Sequence, residues 1–264
     1  MPDTTPSQTQ MTTEAPLPED GWRPNLLELR ARLDELDDKI HDMLMVRARV
    51  VEYVARSGKT AAFRPGREAS ILRRLLARHT GNLPARTLVR MWREMLAGTT
   101  AMQAPITIAA VRTDTIAREH FGFLTPVIEY PHAEAALTAL RDGAATIAVL
   151  PFPTASAAWW PTLTAAEPRL YVVARLPFWA DRPDHVPDDD ALVVTTTPPD
   201  PSGNDRSFIA AVDHAHLADT GLTSRATHGT IAEVDGMVSE DDPRLPHGAI
   251  ALGGYAVPVA GEQP

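Results

Sequence analysis

The sequence predicts a multidomain protein in which an all-helical module precedes α/β and α+β regions. Three observations predict it. Between Asn25 and Gly58 the apolar residues recur at spacings of three and four, which places them on one face of a single long helix. From Ala104 onward the apolar runs become short and β-rich, and prolines rise from three in residues 22–103 to 17 in residues 104–264, a composition of strands and turns. The charge reverses at the same place: residues 22–103 carry 16 Lys/Arg against 9 Asp/Glu, and residues 104–264 carry 9 against 21.

Residues 1–21 are Pro, Thr, Gln and acidic residues without periodicity, and a disordered tail is expected there. Pro24 suits a first helical position. In the long helix Leu26, Leu29, Leu33, Leu36, Ile40 and Met43 form an apolar stripe that Val50 and Val54 resume. Arg47 interrupts it. A guanidinium in an apolar seam is costly unless an anion pairs with it, and Arg30 lies about five turns earlier on roughly the same side. At 1.5 Å per residue the helix runs to roughly 50 Å, longer than the two shorter helices that follow are able to cover. A second copy of the chain in a two-fold dimer is therefore the expected partner; a plain coiled coil with a register-setting arginine fits the helix pattern as well. A second amphipathic helix is expected over 67–79 and a third from Pro84 to Gln103, with Leu88, Met91, Trp92, Met95 and Met102 facing inward. Thr99 and Gln103 share a face at i, i+4.

In the second half PITIAAV reads as a buried strand, 115–121 and 132–143 as helices and TIAVLPFP as a strand, a β-α-α-β unit. RLYVVARLPF follows as a strand. ALVVTTT, SFIAAVDH, TIAEVDGMV and AIALGGYAVPV suggest a further small sheet. The expected division is 1–21 tail, 22–103 helical, 104–190 α/β and 191–264 α+β.

With 264 residues, 44% of them hydrophobic, the chain supports a substantial core. No run approaches a membrane span, and the first residues show neither a basic nor an apolar signal region, so a cytoplasmic protein is expected. The absence of cysteine excludes disulfides, thiolate metal sites and cysteine nucleophiles. The basic helical module calls for an anionic ligand. No nucleic-acid motif accompanies it, and two of its arginines fall on the apolar side of a helix, which favours a small polycarboxylate. The histidines show no ligand spacing beyond His214 and His216, so no metal is expected. Trp159 and Trp160 read as core aromatics.

LLELR at 26–30, Asp37 and Lys39, Arg47, RPGRE at 64–68 before an apolar helix, and a helix ending TTAMQ together resemble the all-helical (type II) chorismate mutases over about 80 residues. The resemblance implies an intertwined homodimer of one long and two shorter helices, a cofactor-free isomerase of aromatic amino acid biosynthesis, and chorismate as the substrate. It implies that Arg47 binds one substrate carboxylate and that Arg30 reaches into the partner's site to bind the other. Glu68 would hold the ring hydroxyl, and Gln103 would donate to the ether oxygen. Thr99 stands at the family's small hydroxyl position, and Arg67 supports the carboxylate region. Gly58 occupies the family's lysine position, so Lys59, one residue on, or Arg56 takes the role of ether-oxygen cation. Arg64 stands where the family often has an acid.

ITIAAV and DGAATIAVLPFP resemble prephenate dehydratase more faintly, and PSGNDRSFIAAV resembles the start of its appended ACT module. That family's Thr-Arg-Phe motif is replaced by Asp189, Asp190 and Ala191, and 105–190 is about half the length of a two-lobed dehydratase domain. The resemblance thus implies a degenerate dehydratase-like region with an ACT-like region, regulatory or scaffolding in role. Isochorismate-pyruvate lyase, a bifunctional chorismate mutase/prephenate dehydratase and a non-catalytic binding protein stand as alternatives.

Overall fold

A computed structural model describes residues 25–57, 62–154, 157–165, 167–182, 184, 186, 189–210, 217, 220–228 and 230–259. By its internal contacts the chain divides into Met1–Val50 and Val51–Pro264, and each unit is described by itself.

The first unit holds most of α1, Leu26–Arg56. Pro24 lies outside the described residues; the helix is opened by Asn25, whose Oδ1 accepts from the backbone N–H groups of Leu27 and Glu28 at 2.9 and 3.0 Å. The Glu28 carboxylate accepts from the Asn25 N–H in return at 3.0 Å, a reciprocal cap that satisfies donors a helix start leaves orphaned. None of the residues of α1 is buried in the single chain. The whole apolar stripe is exposed, Leu33 at 59%, Met43 at 57% and Val50 at 55%.

In the second unit α2 spans Pro65–Leu76, α3 Ala85–Ala101, α4 Asp114–Phe121, α5 Ala133–Arg141 and α6 Pro161–Thr164. The strands are β1 Ile108–Ala110, β2 Val127–Glu129, β3 Ile147–Pro151, β4 Tyr171–Leu176, β5 Ala191–Thr195, β6 Asp205–Ala210, β7 Ser224–His228, β8 Ile231–Asp235 and β9 Ile250–Ala256. They make one mixed sheet in the order β2-β1-β3-β5-β4-β9-β6-β8-β7. At one end β2, β1 and β3 run parallel, and the alternation of their side chains feeds two cores. Ile108, Ile147 and Val149 face Ile116, Ala117 and Phe121 of α4, while Ala109, Ala148 and Leu150 face Ala136, Leu137 and Leu140 of α5, as a strand buried on both faces requires. Trp159 and Trp160 belong to the α5-side core.

At the other end β9-β6-β8-β7 is antiparallel throughout. Counted within residues 205–256 the strand order is fourth, first, third, second, that of a split βαβ sheet, and turns rather than a helix join β8 to β9. Two expectations need correction. β5 pairs with β3 and β4, so ALVVTTT completes the first sheet region instead of opening the second. A strand, β2, separates α4 from α5, so the α/β unit is β-α-β-α-β.

The two regions join through β4 and β9, whose register pairs Val172 with Gly253. Gly253 has φ +115°, and a Cβ there would fall 2.2 Å from the Val172 carbonyl oxygen, so only glycine fits the junction. Gly253→Ala should lower the free energy of unfolding by about 1–3 kcal/mol from backbone strain alone. Gly143→Ala, at φ +74° with open space around the new methyl, should cost less; equal losses in denaturant titrations would remove the special role of this junction.

The helical module does not keep a core of its own. Ala69, Leu72 and Leu76 of α2 and Val89 of α3 pack with Phe178 and Ala256 from beyond the border at Ala104. The buried face of α3 is Val89, Arg93, Leu96 and Thr100, rotated from the expected stripe, and Met91 and Met102 are half exposed at 52% and 51%. The cause is that α3 packs on α2 and α4 and carries a buried ion pair into that contact.

Candidate active site

The N-terminus of α2 is built by a residue far away in sequence. Asp200 accepts from the backbone N–H groups of Gly66 and Arg67 at 3.0 and 3.1 Å and pairs with Arg64 at 3.3 Å, so a carboxylate satisfies the orphan donors and the positive helix end together. Gly66 permits this: a Cβ there would fall 2.0 Å from the Asp200 carbonyl oxygen. Arg64, at the position where the resemblance expects an acid, is thus matched by an acid from another part of the chain.

One residue along, Glu68 turns inward and is 9% exposed. Its Oε2 accepts from Arg93 Nη1 at 2.9 Å. Arg93 is 6% exposed, lies with its guanidinium 4.8 Å from the centre of the Phe178 ring, and reaches His120 Nε2 at 3.3 Å. Burial lowers the Arg93 pKa from its ordinary value, and the charge and hydrogen bond of Glu68 oppose that. His120 is held well below the usual histidine range, first by burial and then by the Arg93 cation, so its ring is neutral and Nε2 serves as an acceptor. The result is a buried chain from carboxylate to guanidinium to imidazole.

The remaining expected residues are placed as follows. Thr99, half-buried on α3, donates its hydroxyl to the carbonyls of Met95 and Leu96 at 2.9 and 3.1 Å. Gln103 donates its amide to the Thr99 carbonyl at 3.2 Å, so the two are neighbours as their spacing implies. Arg67 is exposed. Arg56 is exposed, pairs with Glu52 at 3.7 Å and stacks over Tyr53. Lys59 lies outside the described residues. On α1, Arg30 is exposed and Arg47 half-buried.

Arg93, His120 and Asp200 are absent from the expected set. Arg93 was open to detection: Val89, Arg93, Leu96 and Thr100 follow the 4, 3, 4 spacing of a buried stripe, and a cation inside such a stripe is the anomaly that marks Arg47.

In the second half Asp190 accepts two hydrogen bonds from Arg175, at 3.1 and 2.5 Å. Behind them Glu233, 2% exposed, accepts from Tyr255 at 2.6 Å and from Arg206 at 2.8 Å. Burial pushes Tyr255 up to about 12, with Glu233 adding to it. Burial opposes the charge of Glu233, but the hydrogen bonds from Tyr255 and Arg206, with the Arg175 cation, outweigh it and its pKa lies below the ordinary value. Among the described residues no group of three or more His, Cys, Asp or Glu is arranged to hold a metal, and no helix is long and apolar enough to cross a membrane.

Residues 29–104 match the family model of chorismate mutase type II. The bifunctional chorismate mutase/prephenate dehydratase of Stutzerimonas stutzeri is 32% identical over 111 residues, 37% of this chain and 30% of that protein. The protein of the same description from Pseudomonas aeruginosa is 30% identical over 141 residues, 48% of this chain and 38% of that protein, a longer stretch than residues 29–104 alone. The match therefore spans 30% and 38% of the length of these two relatives. Among solved structures, the prephenate dehydratase of Arthrobacter aurescens aligns with 60% of this chain and 92% of its own at 15% identity and a TM-score of 0.39. The ordered motifs on α1, α2 and α3 and the family match coincide, and residues 29–104 of this chain are a chorismate mutase type II domain, followed by a mixed α/β sheet.

Proposed function

We propose that this chain converts chorismate to prephenate in the cytoplasm, as a cofactor-free homodimer whose C-terminal half is not a dehydratase. The observation that carries the reading is α1: a helix of 31 residues with none buried, bearing two arginines on an apolar stripe inside a chorismate mutase type II match. A second copy covers that stripe.

The rearrangement is pericyclic and needs no nucleophile and no proton transfer. The protein therefore folds the substrate and stabilises the charge that separates across the breaking C–O bond. Arg47 and the partner's Arg30 clamp the two carboxylates, with Arg67 in support. Glu68, paired with Arg93, accepts from the ring hydroxyl. Gln103, fixed beside Thr99, donates to the ether oxygen, and Lys59 or Arg56 supplies the cation there. The domain division at Ala104 belongs to this reading as a division of chemistry, since the core packing does not follow it.

The position of the missing dehydratase motif is taken by Asp190, which is already bound by Arg175. Incubated with chorismate at neutral pH, the full-length protein should form prephenate and no enzyme-dependent phenylpyruvate. Phenylpyruvate would contradict the assignment of the second half; turnover of isochorismate in place of chorismate would make the protein a lyase; no turnover of either would leave a binding protein.

A further inference from the structure

We propose that the cavity between α3, α4 and residues 177–182 binds a small organic anion with a flat apolar body. The cavity measures about 990 Å³, ample for such a ligand, and the proposal goes beyond the mutase reading, whose Glu68 it meets through Arg93.

Arg86, Arg90 and Arg93 line it from α3. Their spacings of four and three put all three cations on one helix face, where like charges repel, so the helix alone gives no reason for them. Arg93 is matched by Glu68. Across the cavity Arg118 is matched by Asp114, and Arg182 by both oxygens of Glu119 at 2.7 and 2.8 Å. Among the described residues neither Arg86 nor Arg90 holds an ion pair or a side-chain hydrogen bond. One wall carboxylate, Glu94, sits against the backbone at Gly122, where a Cβ would lie 3.2 Å from its oxygens. Two guanidiniums one turn apart thus face a concave space while held in no ion pair, with the carboxylates of Glu94 and Asp181 also on its wall.

The chemistry of the wall limits the ligand further. Phe178 and Trp179 line the same cavity, and the Phe178 ring already carries the Arg93 guanidinium on its face. A planar fork such as Arg86 or Arg90 suits a carboxylate or phosphate, and half-buried Trp179 suits a ring stacked beside it.

Calorimetric titration of the full chain with phenylacetate and phenyl phosphate, against neutral phenylacetamide, tests this. At least one of the anions should bind saturably and about tenfold or more tightly than the amide. The exposed Arg86→Ala/Arg90→Ala pair, folded by circular dichroism, should lose the binding, and Arg74→Ala, outside the cavity, should keep it. Arg47→Ala should also keep it, which separates this cavity from the mutase pocket. No saturable binding of either anion, equal binding of the amide, binding that survives the double substitution, or binding lost in Arg47→Ala would overturn the proposal.

Discussion

On the proposed dimeric reading, Arg30→Ala and Arg47→Ala proteins should each convert chorismate roughly a hundredfold or more slowly than the unaltered protein, because each would lose a charge-assisted clamp in both sites, about 3 kcal/mol of transition-state stabilisation. The loss should fall mainly on kcat if the clamp tightens as the substrate folds, and on KM if it only holds the ground state. Arg30 is an exposed residue on a helix with no buried position, so its removal should leave the thermal midpoint of the single chain's fold nearly unchanged. A hundredfold loss without unfolding therefore reports chemistry and not packing. Steady-state kinetics beside a melting curve distinguishes the two.

The second large effect is on stability. Arg93→Met removes one partner of a buried pair and leaves the Glu68 carboxylate without it, which should cost about 3–5 kcal/mol. Glu68→Gln in the same background removes that charge, so the double variant should recover a substantial part of the loss, and the coupling read from the cycle should exceed about 1 kcal/mol. Denaturant midpoints of the four proteins give the coupling directly. Additive losses would mean that the 2.9 Å contact contributes nothing beyond its two separate side chains.

The sequence made some of this legible and hid the rest for physical reasons. α1 was readable because its stripe is long and unbroken but for Arg47, β1, β3 and β5 because both faces of each are largely apolar, and β4 because Arg175 alone interrupts its apolar run. β2 was not, since Val127–Glu129 is short and half exposed at the edge of the sheet; nor was β7, whose Ser224–His228 is polar and lies at the opposite edge. The shared core around Leu72, Phe178 and Ala256 crosses a break in composition that looked like a domain border, because charge and proline content mark surfaces and loops rather than the apolar contacts beneath them. The site divides in the same way. Glu68 on α2, Thr99 on α3 and Gln103 in the turn after α3 stand at spacings the sequence displays, whereas Asp200 reaches Gly66 across 134 positions of chain, a contact no local pattern announces. Arg93 lay between these cases: its stripe was visible, and its partner Glu68 was 25 positions away.

The most direct test of the central claim is subunit mixing. If Arg30 serves the partner's pocket while Arg47 serves its own, a heterodimer of Arg30→Ala and Arg47→Ala chains has both defects in one site and none in the other. Random exchange forms about half heterodimers, each with one intact site, so co-refolding two nearly inactive variants should return about a quarter of the unaltered activity on a closed two-fold geometry. Recovery at that level, under conditions in which labelled subunits are seen to exchange, is the predicted result; exchange without any recovery would put both arginines in the same site, or Arg30 in none, and would contradict the intertwined mechanism.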